Sequence, residues 1–563
     1  MRRRPGSTMT LSDKYVIGID FGTLSGRALL VRVSNGEEIA FAVHEYKHAV
    51  VDTVLPGGKV FLPPDWALQV PQDYRDVLME TIPAVLKSSG VRAEDIIAIA
   101  TDFTACTVLP VNAQGTPICE LKDFEDRPHA YAKLWRHHSA QSHADRINDL
   151  AHQRNEPWIH RYGGKISSEW EFAKGLQLVE EDPEIYELMD HWIEGADWIV
   201  WQLCGQYVKN ICTAGYKAIY QDGDYPSPAF LEALNPKFGD FVNRTVRQPI
   251  AQLGERAGYL TEQAARWTGL LEGTPVAVGN VDAHVTVAAA NAVNYGQMVA
   301  IMGSSTCHVM ISDKLAEIPG MCGVVDGGIV PGQWGYEAGQ SGVGEIFGWF
   351  ANNFSNGEYE TAAKVAGVDI HTYLSDLASK KPVGSHGLVA LDWESGNRST
   401  LVDHRLSGLI VGLTLVTRPE DVYQAIVEST AFGTRKIIET FERSGVQVID
   451  FFAAGGLTKN KFVMQIYSDI LKRPIHVVKS EQGPALGSAI HAAVAAGAYV
   501  NIQEASAAMG SLQRDVFTPQ IAATKIYDEI YLHYEELYDL FGSGKMMHSL
   551  SAIRDRAFGL EEK

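Results

Sequence analysis

Residues 14–20 are a short run of β-branched, aromatic and glycine positions that ends at Asp20; Gly, Thr and Ser residues around Leu24 fill 22–26, and a second largely apolar run fills 27–33. Strand, tight polar turn and strand in that order predict a hairpin. A third extended run at 38–44 follows the turn at Asn35-Gly36 and continues the sheet. The period then changes, with helical spacing over 72–86 and another β-rich run at 96–101 that leads into Asp102-Phe-Thr-Ala-Cys-Thr107. Mixed periods in one region predict an α/β layered domain.

Half a chain later the pattern returns. An apolar run at 298–302, the small polar turn Gly303-Ser304-Ser305-Thr306, and a second run at 307–311 predict another hairpin, and Gly303 lies 281 positions after Gly22 in a chain of 563. The repeat is weak support for a duplicated architecture. Just before it, alternating apolar residues from 275 end at Asp282. Near the end, 449–454 reads as a strand, Gly455-Gly456 as a turn, 459–471 as a helix, 475–478 as a strand and 485–496 as a helix of unusually small residues. The boundary is expected near residue 291. The division is then a leader or tag at 1–8, domains at 9–291 and 292–545, and a tail at 546–563, with helical character after about residue 500.

Charge narrows the choice of partners. With 48 Lys+Arg against 68 Asp+Glu the net charge is −20, which repels a phosphate backbone and argues against nucleic acid as a partner. Any anion must be captured locally. No apolar run approaches the roughly 18 residues of a membrane helix, so no membrane is expected as a partner. The six cysteines are scattered without a CxxC pair, and no signal peptide is visible, which predicts a reduced, cytoplasmic protein.

Several motifs carry chemistry. Asp20-Phe-Gly-Thr23-Leu-Ser25-Gly-Arg27 combines a carboxylate at a strand end with two glycines, two hydroxyls and a guanidinium, a set able to face a phosphate and its metal; an ordinary hairpin with a solvated Asp reads equally well from the spacing. Neither GxxxxGK[ST] nor a helix-opening GxGxxG is present, so a nucleotide is not held by either common glycine-rich loop. His44-Glu45-Tyr-Lys-His48 satisfies HExxH formally, but the residues before it alternate as a strand, against the helix a zinc protease requires. Gly455-Gly456-Leu-Thr-Lys-Asn460 can bring backbone against a flat ring or a phosphate, or simply turn and cap a helix. Asp282, at a strand end near the middle of the chain, is the best candidate for a general base.

Taken in order, Gly18-Ile-Asp20-Phe-Gly-Thr23 with Arg27, Leu134-Trp135, Gly279-Asn-Val-Asp282, Gly303-Ser-Ser-Thr306, Gly455-Gly456-Leu-Thr-Lys-Asn460 and Ala485-Leu-Gly487-Ser-Ala489 resemble the FGGY family of carbohydrate kinases over nearly all of residues 14–500. The resemblance implies two ribonuclease-H-like (actin-like ATPase) α/β domains facing each other across a cleft, sugar mainly on the first and ATP mainly on the second. It implies phosphoryl transfer from ATP to the terminal hydroxyl of ribulose or a related small sugar, with Asp282 as catalytic base and Mg2+ held by Asp20. Thr23, Ser25, Arg27, Gly303, Ser304, Ser305, Thr306, Gly455, Gly456 and Asn460 would serve the nucleotide; Ala105, Trp135, Lys217, Asp282 and Glu337 would contact the sugar. The Arg-Glu pair of the glycerol-specific branch is replaced here by residues 102–106, against glycerol. Another ketose such as xylulose, or a polyol, is the alternative substrate. A homodimer is a family-level expectation. An actin-like or chaperone-type ATPase is the reading from another class, disfavoured because only about 60 residues follow the helix at 485–496, too few for a peptide-binding domain.

Overall fold

The structure is a computed structural model and describes residues 11–510 and 513–557; the expected leader at 1–8 and the last residues of the expected tail lie outside them. The chain forms two compact units. The described residues of Met1–Val293, Val324–Gly335 and Gln482–Ser511 make the first, and those of Asn294–Gly323, Tyr336–Glu481 and Leu512–Lys563 the second. The linear division at residue 291 therefore leaves out two returns of the chain to the first unit.

The first unit is built on a mixed sheet. Its strands run Arg256–Tyr259, Pro275–Ala277, Ile96–Phe103, Tyr15–Phe21, Ser25–Arg32 and Glu38–Glu45 in spatial order, and Asn280–Val281 also pairs with Ile96–Phe103. The expected hairpin is present, antiparallel with Asp20 opposite Arg27, and Tyr15–Phe21 pairs in parallel with Ile96–Phe103 so that Asp20 stands beside Asp102. The helix Pro71–Ser89 covers one face. It starts on a proline whose missing N–H costs nothing at a helix N-terminus, buries Tyr74, Val77, Leu78, Thr81, Ile82 and Val85 at i, i+3, i+4 spacing, and stops at Gly90 with φ +70°.

The helix Gly483–Ala495 also packs on this sheet. Its small residues are a steric requirement: a Cβ on Gly18 would meet the carbonyl oxygen of Ala485 at 1.9 Å, and one on Gly487 would meet that of Val285 at 2.1 Å. Strand and two helices thus approach backbone to backbone. HExxH is not a metal motif here, because His44 lies on the strand Glu38–Glu45 while the His48 ring nitrogen Nδ1 pairs with Asp73 at 2.8 Å.

The second unit repeats the scheme. Gln297–Met302 pairs antiparallel with Thr306–Ser312 and parallel with Asp450–Ala454, which in turn pairs with Ile475–Val478. Gln513–Phe517 closes that edge as an antiparallel strand in a region expected to be helical, and the helices Ile521–Phe541 and Lys545–Ala557 follow. The 25-residue helix Pro419–Arg443 is largely buried, with Gln340, Asp392 and Tyr534 joined by hydrogen bonds beside it.

Candidate active site

In the first unit the C-terminal ends of parallel strands gather carboxylates. Asp20, Asp102 and Asn280 form one row in register across Tyr15–Phe21, Ile96–Phe103 and Asn280–Val281. Two residues past Asn280, Asp282 opens the helix Asp282–Ala289, where its Oδ1 accepts the N–H of Ala283 at 2.7 Å. Asp102 was not anticipated. It is fully buried, accepts the Ser488 hydroxyl at 2.6 Å on Oδ2, and its Oδ1 has no hydrogen-bond partner among the described residues.

Burial, and then the neighbouring Asp20 charge, hold the Asp102 carboxyl well above the usual carboxylate range. Burial also raises Asp20, while contact with Asp102 and the Arg27 charge pull it down. Two like charges this close in a dry site cannot both ionise without compensation, so the pair retains a proton or requires a cation. Arg27 supplies part of that compensation, with Nε 3.5 Å from Asp20 Oδ2 and a second guanidinium nitrogen donating to Gln482 at 3.0 Å. Asp20 and Asp102 offer oxygen donors of the kind a hard divalent cation takes, with the buried Asp102 Oδ1 unsatisfied among the described residues.

The hairpin turn is braced from behind. The Thr23 hydroxyl accepts the Trp135 indole N–H at 3.1 Å, the Thr23 carbonyl accepts the Gln69 amide at 2.8 Å, and the Ser25 carbonyl accepts the Gly22 N–H at 2.9 Å. Thr23, Ser25, Ala105 and Trp135 are all half-buried. Lys217 ends the helix Ile211–Lys217, is buried, and holds its ammonium 5.4 Å from the centre of the Trp170 ring, a cation–π distance.

In the second unit Gly303 and Ser304 are exposed at the tip of the equivalent hairpin, and Ser305 is half-buried. Their shape is set by the next helix: Gly344 N–H donates to the Gly303 carbonyl at 3.0 Å, and Val343 N–H to that of Ser304 at 2.8 Å. The Thr306 hydroxyl is buried without a hydrogen-bond partner among the described residues. Gly455 needs its hydrogen side chain, since with φ +96° a Cβ there would meet the Met302 carbonyl oxygen at 2.4 Å; beside it, a Cβ on Gly456 would meet nothing within 4 Å. Asn460 is a helix cap, its Oδ1 accepting the N–H groups of Phe462 and Val463 and its amide donating to Ser375. Glu337 is buried, also in this unit, and pairs with Arg398 at 3.1 Å. Asp20, Arg27 and Asp282 gather at the strand-end carboxylates and Thr23, Ser25 and Trp135 at the hairpin turn, while Ala105 and Lys217 lie apart from both; in the second unit the candidates sit at the Gly303 and Gly455 turns except Glu337, which lies beside Arg398. Asp102, Ser488 and Gln482 are the additions. A strand run ending on Asp at 102 as at 20 is the one signal that marks the first of them in the sequence.

Comparison with known proteins identifies the family. The sequence profiles of the FGGY family of carbohydrate kinases match at residues 15–289 for the N-terminal domain and 298–496 for the C-terminal domain. The chain is 59% identical over 548 residues to a ribulokinase of Mycolicibacterium smegmatis, covering 97% of each chain, and 50% identical over 539 residues to a ribulokinase of Bacillus licheniformis, covering 94% and 98%. A solved xylulose kinase of Rhodospirillum rubrum has the same fold at TM-score 0.78 and 22% identity, covering 95% of this chain and 100% of that one. A gluconate kinase of Lactobacillus acidophilus follows at TM-score 0.77 and 19% identity, with 94% and 98% covered. The chain belongs to the FGGY family of carbohydrate kinases and has the family's mixed α/β, two-domain fold. Its chemistry is phosphoryl transfer to an alcohol group, with ATP as the phosphate donor. Among the described residues no helix is long and apolar enough to cross a membrane.

Proposed function

We propose that this kinase phosphorylates the terminal (5-) hydroxyl of ribulose, giving ribulose 5-phosphate and ADP, as a cytoplasmic step of L-arabinose catabolism. The observation that carries the choice of sugar is the 59% identity over 97% of both chains to a protein named ribulokinase.

The reading gives the candidate residues the following roles. Asp282, half-buried and hydrogen-bonded to its own helix N-terminus, takes the proton from the sugar hydroxyl as that oxygen attacks the γ-phosphate. Asp20, with Asp102 beside it, holds Mg2+, whose contribution when bound is to neutralise phosphate charge. Thr23, Ser25, Arg27, Gly303, Ser304, Ser305 and Thr306 serve the phosphates, and Gly455, Gly456 and Asn460 border the adenosine. Ala105, Trp135, Lys217 and Glu337 contact the sugar. In this reading sugar recognition rests mainly on residues 9–291, nucleotide recognition mainly on residues 292–545, and the working protein is a homodimer.

A coupled ADP-release assay over pentuloses, pentitols and glycerol tests the reading. Turnover is expected to be highest with ribulose. Ribulose turnover no higher than the blank overturns the proposal, and preferred turnover of xylulose or a polyol moves the assignment within the family.

A further inference from the structure

Three of the first-unit sugar contacts, Ala105, Trp135 and Lys217, come from segments far apart in the chain. The backbone pairing of Val108 with Lys133 joins the first two segments a few residues away from these contacts and does not reach Lys217. Ala105 leads into Cys106 behind the end of the strand Ile96–Phe103, Trp135 follows the short strand Ala132–Lys133, and Lys217 ends a helix more than eighty residues later. The first turn of the helix Glu171–Glu181, together with its N-cap Trp170, touches all three segments.

Lys174 lies in that turn and is completely buried. Its ammonium donates to the Cys106 carbonyl at 2.7 Å and to the Leu134 carbonyl at 2.9 Å, with the Lys133 carbonyl at 3.5 Å. It thereby ties the peptide after Ala105 to the peptide before Trp135. Trp170, the residue that opens the same helix, lies under the Lys217 ammonium. A lysine in a helix interior normally extends to water, and taking the ammonium out of water is costly unless its donors are used. Here they are spent on backbone carbonyls. Side chains that face it are Glu169, Glu171 and Glu194 as negative groups and Cys106 as a thiol, with Lys133 and His137 as further basic groups nearby. Glu171 also has the buried Lys209 ammonium at 3.9 Å, while burial raises its carboxyl above the usual carboxylate range.

We propose that Lys174 is a positioning residue for the sugar acceptor: by clamping the Cys106 and Leu134 carbonyls together it holds Ala105 and Trp135 at the spacing the substrate requires. The inference rests on the reading of Ala105 and Trp135 as sugar contacts given above. It concerns chiefly affinity for the sugar: none of the three carbonyls belongs to a nucleotide candidate, and the nucleotide side is reached only indirectly, through the hydrogen bond from Trp135 to Thr23.

The test is steady-state kinetics of the full-length enzyme with Lys174→Met, which keeps the length and apolar stem but removes the donors. Lys133→Met serves as a matched loss of a second buried lysine, one that donates to the His129 carbonyl at 3.1 Å and to neither the Cys106 nor the Leu134 carbonyl. For Lys174→Met the KM for ribulose is expected to rise roughly ten- to a hundredfold, the scale at which ångström-level misplacement acts, with the KM for ATP within about twofold of wild type. Lys133→Met should show no such selective rise. Equal increases in both KM values, an unchanged ribulose KM, or the same selective rise in Lys133→Met overturns the proposal. If Lys174→Met does not accumulate as folded protein, Lys174→Gln, which keeps a shorter donor, is read by the same criteria. Wild-type enzyme that turns over another sugar refutes the choice of ribulose and leaves the clamp to be tested on that sugar; a wild type with no sugar kinase activity refutes both.

Discussion

Asp20 and Asp102 are paired in register on adjacent parallel strands, and the carboxyl of one is the immediate electrostatic environment of the other. In the proposed reading Asp20 holds the magnesium ion, with Asp102 beside it. Asp20→Ala should raise the Mg2+ concentration for half-maximal activity by an order of magnitude or more, measured by magnesium titration of ADP release at saturating ATP and ribulose. Activity of wild type should vanish with excess EDTA and return with Mg2+.

Asp282→Asn preserves shape and the hydrogen bond accepted from Ala283 but removes the proton acceptor. A general base contributes about 10²–10⁴-fold, so kcat should fall by that factor while the KM for ATP changes less than about twofold. Undiminished kcat would take Asp282 out of the base role.

Two glycines separate packing from binding. Gly18→Ala drives a methyl into helix backbone at 1.9 Å, where no side chain can move aside, and should cost about 1–3 kcal/mol or more, seen as a lowered Tm or loss of folded protein. Gly456→Ala meets nothing within 4 Å and should leave Tm unchanged while raising the KM for ATP severalfold. A Gly456→Ala enzyme with wild-type nucleotide affinity would remove that turn from the adenosine site.

In the second unit, burial pushes the Asp392 carboxyl up to about 6, against hydrogen bonds from Gln340 and Tyr534 that lower it. A carboxyl raised above its unfolded value contributes stability that is full below the unfolded pKa of about 4 and is lost as pH rises through the folded one. The thermal stability of wild type should therefore fall, relative to Asp392→Asn, between about pH 4 and pH 7. Parallel pH dependence of the two proteins by calorimetry would contradict the assignment.

How far these features can be read from sequence follows from where their signals reside. Asp20 and Asp282 each end an apolar run, so alternation alone points to them, and the two hairpins were legible because their turns are made of Gly, Ser and Thr. Asp102 ends a run in the same manner, but its meaning depends on the parallel neighbour 82 positions earlier in the chain, which only sheet order reveals. Lys174 carries no signal at all: a lysine in a first helical turn reads as solvated, and its burial comes from the loops packed over it. The strand Gln513–Phe517 was hidden for the opposite reason, since its place at a sheet edge is set by its partner Ile475–Val478 and not by its own polar composition.

The return of the chain at Gln482 has a consequence for biosynthesis. When the ribosome has made only the first 293 residues, Gly18 lies on a sheet face with no Gly483–Ala495 helix to cover it, and Asp102 lacks the Ser488 hydroxyl. The nascent first unit is thus exposed throughout the synthesis of nearly two hundred further residues, and the part of the enzyme translated first is among the last to be finished.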